Sequence, residues 1–193
     1  MSFVKSYASP AYSWGLWKID TNLTSDKTRA EIRKIQSNEA KNALRLLLNK
    51  EQIHLSKDSF GKPYLLDENC GIGISHSNNW VAVMKSKSKK VGIDVQLFST
   101  KILGIVAKFA SEKEQTVPRN FNDLHWFTLL WAAKESVYKW HSKGGVNFRE
   151  QIKISMNSVK PQFLNAELKV SGDEKQLTLA YFFFEQGVLC FVK

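Results

Sequence analysis

Leu124-His125-Trp126-Phe127-Thr128-Leu129-Leu130-Trp131-Ala132-Ala133-Lys134-Glu135-Ser136-Val137-Tyr138-Lys139-Trp140-His141-Ser142 is the clearest helical pattern in this 193-residue chain. Leu129, Leu130, Ala133, Val137 and Trp140 recur at helical spacing, and Gly144-Gly145 predicts its end. A helix with such a stripe needs an apolar sheet to cover. The segments that follow supply one: Ile152–Ile154, Ala166–Val170, Leu177–Phe184 and Val188–Val192 read as antiparallel strands. Upstream, Ser111-Glu112-Lys113-Glu114 has the Ser-x-x-Glu form of a capping box. Before it, Ile102, Ile105, Val106 and Phe109 predict a short helix.

The N-terminal half repeats this mixture. Tyr12–Ile19 is rich in aromatic and β-branched residues and reads as a first strand. From Thr24 the pattern turns helical, with Thr24-Ser25-Asp26 as the cap and Ile32, Ile35, Ala40, Ala43, Leu44, Leu47 and Leu48 on the apolar face. One or two helices fill that stretch. Gly61-Lys62-Pro63 marks a turn, since Pro63 biases Lys62 toward extended geometry. Ile72–Ser75 and Trp80–Met84 read as a meander around His76–Asn79, and Val91–Val95 as a third, buried strand. The order predicts an α+β fold rather than βαβ winding, with lobes at residues 1–95 and 96–193.

Composition narrows the functional classes. A 43% apolar fraction with 12 Phe and 6 Trp argues for a packed core over disorder. No apolar run is long enough to span a bilayer, and the first residues lack a signal-peptide core. Cys70 and Cys190 cannot build a disulfide framework and read as reduced, buried small hydrophobes of a cytoplasmic protein. The net charge of +10 attracts polyanions: nucleic acid, anionic membrane, a nucleotide or an acidic protein. A nucleic-acid module lacks a recognisable reading element here, and Phe182-Phe183-Phe184 looks like core. Ser86–Lys90, the densest basic tract, reads as a solvated hairpin turn.

Several residues then stand out for their chemistry. Asp94 lies in the apolar run Val91-Gly92-Ile93-Asp94-Val95, where a carboxylate is costly unless paired or bound to metal. Glu135 and Lys139 are one helical turn apart, which makes them either an exposed ion pair or a base and a cation beside a phosphate. Mg²⁺ is commonly held by one or two carboxylates, with water and phosphate oxygens completing its shell. Lys62, His76 and Lys134 can each bind phosphate, though lysine is usually solvated and a lone histidine usually structural. There is no Walker A, GxGxxG, paired CxxC or HExxH motif.

Gly61-Lys62-Pro63, Ser75-His76-Ser77, Gly92-Ile93-Asp94-Val95-Gln96 and Trp131 through Lys139 occur in that order, with Phe109–Glu114 as a link between the last two. Together they resemble the 4′-phosphopantetheinyl transferase superfamily, in its larger, pseudo-dimeric branch typified by the surfactin-synthetase activators. The resemblance covers residues 61–139; the flanks match in layout alone. It implies two similar helix-plus-antiparallel-sheet lobes forming a pseudo-dimer, with coenzyme A in the cleft between them. It implies transfer of 4′-phosphopantetheine to a serine of an acidic apo acyl or peptidyl carrier protein, by a monomer with no nucleic-acid or membrane partner. Asp94 and Glu135 would hold Mg²⁺, with Gln96 at the third metal position. Glu135 would take the serine proton and Lys139 would serve the leaving group; Ser75, His76, Lys134 and Lys139 would contact phosphates. Lys62 and Pro63 would lie against the adenine and 3′-phosphate. Gln96 stands where the family usually has glutamate, which motivates an alternative: a relative that binds coenzyme A or a carrier without turnover.

Overall fold

The computed structural model describes residues 1–20 and 27–193, and the chain divides into two compact units, Met1–Val95 and Gln96–Lys193. Both mix α and β structure. Among the described residues no helix is long and apolar enough to cross a membrane.

In the first unit a four-stranded antiparallel sheet has the order β1-β2-β6-β5, from β1 (Ser2–Ala8), β2 (Tyr12–Lys18), β5 (Gly71–Ser77) and β6 (Trp80–Ser86). The expected first strand is therefore the second. β1 was hidden because all seven of its residues are exposed, so no burial pattern marks it. A long helix, α1 (Arg29–Leu48), lays Ala40, Ala43 and Leu44 on this sheet. The cap expected at Thr24-Ser25-Asp26 lies outside the described residues. The observed one is Thr28, whose hydroxyl accepts from Glu31 N while the Glu31 carboxylate accepts from Thr28 N at 2.7 Å. A single helix fills the stretch, closed by left-handed Asn49.

The Gly61–Pro63 turn joins two short strands, β3 (Leu55–Lys57) and β4 (Pro63–Leu65), with Gly61 at φ 81°. Asp58 Oδ1 accepts from the backbone N–H of Phe60 and of Lys62, which fixes the approach to Pro63. β5 and β6 meet in a two-residue turn, Asn78-Asn79, with Ser77 opposite Trp80. His76 consequently lies in the strand, not in the turn. Asn78 tolerates the positive φ of 48° that this tight turn demands. The tract Ser86–Lys90 leads from β6 into the next strand without a hairpin, since those two strands belong to different sheets.

That strand, β7 (Ile93–Leu97), crosses the division at Val95 and forms an edge of the second unit's five-stranded sheet, ordered β7-β11-β10-β9-β8. The expected third, buried strand is present, and it bonds to β11, not to β5 or β6. A Cβ at Gly187 of β11 would run into the carbonyl oxygen of Gln96, so glycine permits this pairing. The other strands are β8 (Ile152–Met156), β9 (Phe163–Val170), β10 (Asp173–Phe184) and β11 (Gly187–Val192), antiparallel to one another in that succession.

Against this sheet lies α3 (Asp123–His141), started by Asn122, which accepts from His125 N, and ended by left-handed Ser142 at φ 63° rather than by Gly144. Ser136 Oγ bonds to both Ala132 O and Cys190 O, so α3 is pinned to β11 by a hydroxyl as well as by apolar contact. A 3₁₀ turn (Thr100–Ile105), α2 (Val106–Phe109), a second 3₁₀ turn (Glu112–Gln115) and α4 (Phe148–Gln151) complete the unit. Leu129, Leu130, Ala133 and Val137 are fully buried, with the buried Cys190 among their neighbours. Cys70, also buried, belongs to the other core, and neither cysteine is in a disulfide.

Candidate active site

Asp94 is the second residue of β7, between Ile93 and Val95, which are 0% and 1% exposed, and is itself only 5% exposed. Its Oδ1 accepts a hydrogen bond of 2.7 Å from the Ser75 hydroxyl, and Ser75 Oγ in turn accepts from Val95 N at 3.2 Å. β5 approaches this segment closely because Gly73 lacks a side chain: a Cβ there would lie 2.8 Å from the side chains of Val91 and Ile93. Ser75 is buried at 4% exposure. Its proton therefore orients a carboxylate. The Ser75 hydroxyl is thus directed at Asp94. Its neighbour His76, on the opposite face of β5, is exposed.

α3 is buried almost all round between Trp126 and Val137. Trp131 and Glu135 interrupt that burial, and with Tyr138 and Lys139 they make the half-exposed face of the helix. Glu135 and Lys139 thus share one accessible face, as their spacing predicts. Trp131 is wedged edge-on to Phe109 and tilted against Phe148, with ring centroids 5.1 Å and 5.5 Å away. These contacts fix the turn that precedes Glu135.

Lys134 behaves differently. It is fully buried, and its ammonium donates to Glu114 Oε2 at 2.9 Å, Phe148 O at 2.8 Å and Ile152 O at 2.6 Å. An ammonium has three protons, and all three go to protein acceptors. This overturns the expectation that Lys134 binds phosphate: the side chain points into the core and has no donor to offer. Burial pushes its ammonium down to about 8, against the opposing pull of Glu114.

Glu114, 4% exposed, is the residue whose importance the sequence understated. Besides closing the capping box with Ser111 N and Oγ, its Oε1 accepts from Ile154 N and its backbone carbonyl accepts from Trp126 Nε1. The Ser-x-x-Glu pattern signalled the cap. It carried no sign of the other three partners, which come from α3 and β8.

Lys62 is half-buried, with Nζ donating to Lys89 O at 3.0 Å, and burial pushes its pKa down. Pro63 opens β4 beside it. Gln96 is half-buried in β7, two residues along the strand from Asp94 and therefore on the same face. Among the described residues no group of three or more His, Cys, Asp or Glu side chains is placed to hold a metal. A carboxylate buried within an apolar strand, with one hydroxyl bonded to it, still fits Mg²⁺, which needs few protein ligands.

Residues 90–182 match the family profile described as the 4′-phosphopantetheinyl transferase superfamily. In this segment the chain is similar to that superfamily. It holds Asp94, Gln96, Glu114, Lys134, Glu135 and Lys139, whereas Lys62, Pro63, Ser75 and His76 lie before it. The 4′-phosphopantetheinyl transferase ffp of Bacillus subtilis is 34% identical over 101 residues, which are 50% of this chain and 45% of the relative. The 4′-phosphopantetheinyl transferase Sfp of Bacillus subtilis strain 168 is 32% identical over 101 residues, with the same coverage of 50% and 45%. The chain thus spans about half the length of the curated relatives it matches.

Proposed function

We propose that this protein transfers 4′-phosphopantetheine from coenzyme A to a serine hydroxyl of an apo carrier protein, in a Mg²⁺-dependent reaction. The observation that carries this reading is Asp94, a buried carboxylate oriented by Ser75 at the start of a segment that matches the transferase superfamily. Asp94 and Glu135 would hold the cation, with Gln96 contributing its amide oxygen or leaving the place to water. When bound, Mg²⁺ neutralises pyrophosphate charge.

The bonds exchanged are simple. The serine oxygen forms a bond to the phosphorus that bears pantetheine, and the bond from that phosphorus to the oxygen bridging toward 3′,5′-ADP breaks. The serine proton passes to the Glu135 carboxylate, because a neutral hydroxyl is a poor nucleophile. The Lys139 ammonium neutralises the departing 3′,5′-ADP, which carries the bridging oxygen away. Positioning and charge neutralisation supply most of the acceleration in such a displacement. His76 and Lys62, each with its polar end at or near the surface, are the residues assigned to phosphate, and Pro63 packs with Lys62 toward the nucleotide end. The net charge of +10 speeds encounter with coenzyme A and with an acidic carrier more than it tightens either complex. The chain acts as a monomer in the cytoplasm, where Cys70 and Cys190 remain thiols.

Purified protein, coenzyme A, Mg²⁺ and an apo carrier protein, followed by intact mass, provide the test. A phosphopantetheine mass gain on the carrier is the expected result. Gln96 adds no negative charge and so favours a second reading, binding without turnover; coenzyme A binding with no mass gain would establish it instead.

A further inference from the structure

We infer that Lys134 is a positioning residue for Glu135, and that it works as one half of a buried node with Glu114. The inference rests on the transferase reading for its kinetic consequence, and on geometry within Gln96–Lys193 for everything else.

The node ties α3 to three other elements. Through Lys134 Nζ the helix is bonded to Glu114 in the second 3₁₀ turn, to the first residue of α4 through Phe148 O, and to the first residue of β8 through Ile152 O. Glu114 grips the same helix a second time, near its start, where Trp126 Nε1 donates to Glu114 O at 2.8 Å. Two anchor points along one helix fix its rotation and its axial position, which one would not. Glu114 is itself immobilised by the Ser111 cap and by Ile154 N of β8 at 2.7 Å.

Glu135 is the next residue along α3, turned by about 100° about the helix axis from Lys134. A small rotation of α3 therefore moves its carboxylate directly. Productive geometry in such sites tolerates about half an ångström. Trp131, edge-on to Phe109 and against Phe148, packs the same turn. Phe148 thus contributes to both devices, its carbonyl to Lys134 and its ring to Trp131. An alternative role for Lys134 as a phosphate ligand would require it to leave all three acceptors and to abandon a buried glutamate.

Three variants separate these roles: Lys134→Met, Glu114→Gln, and the two combined, which removes the node without leaving a buried charge unpaired. Transfer kinetics, coenzyme A titration and backbone amide exchange are read on each. Positioning predicts that all three lower kcat by about 10–100-fold while the KM for coenzyme A stays within about two-fold, the pattern of lost support behind a first-contact group. Glu114→Gln is the discriminating case, since it leaves the lysine cation in place. A large rise in KM for coenzyme A confined to variants lacking Lys134 overturns the inference in favour of phosphate binding. Unchanged kcat in the folded double variant overturns it in favour of a merely structural pair. If the wild-type protein transfers nothing, the transferase reading fails on its own, and amide exchange still decides the node. Faster exchange confined to residues 134–138 supports positioning, and unaltered exchange there refutes it.

Discussion

The Ser75 hydroxyl donates to Asp94 Oδ1 at 2.7 Å, joining the Ser-His-Ser strand to the acid of the Gly-Ile-Asp strand inside the first unit. Both side chains are buried, so the bond is shielded from water. It makes Ser75 a support of the acid.

Ser75→Ala deprives a buried carboxylate oxygen of its donor, at a cost of about 1–3 kcal/mol. The expected effects are a lower unfolding midpoint in urea and about a 10–100-fold loss in transfer rate. Raising Mg²⁺ should recover part of the rate, because the cation can orient the carboxylate in place of the hydroxyl. A Ser75→Ala variant with wild-type turnover at every Mg²⁺ concentration would show that the acid needs no such support.

Glu135→Gln preserves shape and removes the proposed proton acceptor. Loss of a positioned general base typically costs about 10²–10⁴-fold. Asp94→Asn should fall in the same range with Mg²⁺ saturation displaced upward, whereas Glu135→Gln should fall at all Mg²⁺ concentrations. Rates measured by intact mass of the carrier check both. Retention of full activity by either variant would remove that side chain from the reaction.

Gln96→Glu places a second carboxylate on the face of β7 that carries Asp94. The half-saturating Mg²⁺ concentration should drop. An unmoved metal titration would put position 96 outside the coordination shell.

Glu68 gives a pH dependence that is independent of catalysis. Lys50 Nζ and Lys85 Nζ lie 2.6 Å and 2.8 Å from its two oxygens, and these ammonium donors hold its carboxyl down to about 2. A carboxyl whose folded pKa is depressed contributes stability above its unfolded pKa and loses it as pH falls through the folded one. The window therefore runs from the ordinary value of 4.5 down to about 2. Because both lysines are more than one-third exposed, solvent screening limits the contribution to about 1 kcal/mol. Glu68→Gln should lower the urea midpoint at neutral pH and leave it nearly unchanged near pH 2 (about the folded pKa). An equal loss at both pH values would mean the ion pairs contribute nothing.

Much of the architecture was legible in the residues. α3 announced itself because its apolar positions keep the helical period, and β10 and β11 because aromatic and β-branched residues cluster there. Asp94 was conspicuous because a charge amid apolar neighbours demands compensation. β1 was not legible, since an edge strand exposed along its whole length carries no alternation. The extent of α3 was legible to within one residue, but its stop was not: Gly144 and Gly145 are the commoner stop signals, yet Ser142 adopts the left-handed conformation first.

The division of labour between Lys134 and Glu135 shows where local pattern runs out. Adjacent on the helix, both polar and both long, they differ in environment completely: one is sealed in the core and the other half-exposed. Helical periodicity specifies only their angle relative to each other. Which one turns inward depends on acceptors delivered by Glu114, Phe148 and Ile152, distant in the chain and adjacent only after folding. The amino-acid order carried the chemistry of the site, because carboxylates, ammonium groups and hydroxyls are properties of single residues. Packing assigned their roles, because a charge can be buried only where hydrogen-bond partners from other elements converge on it.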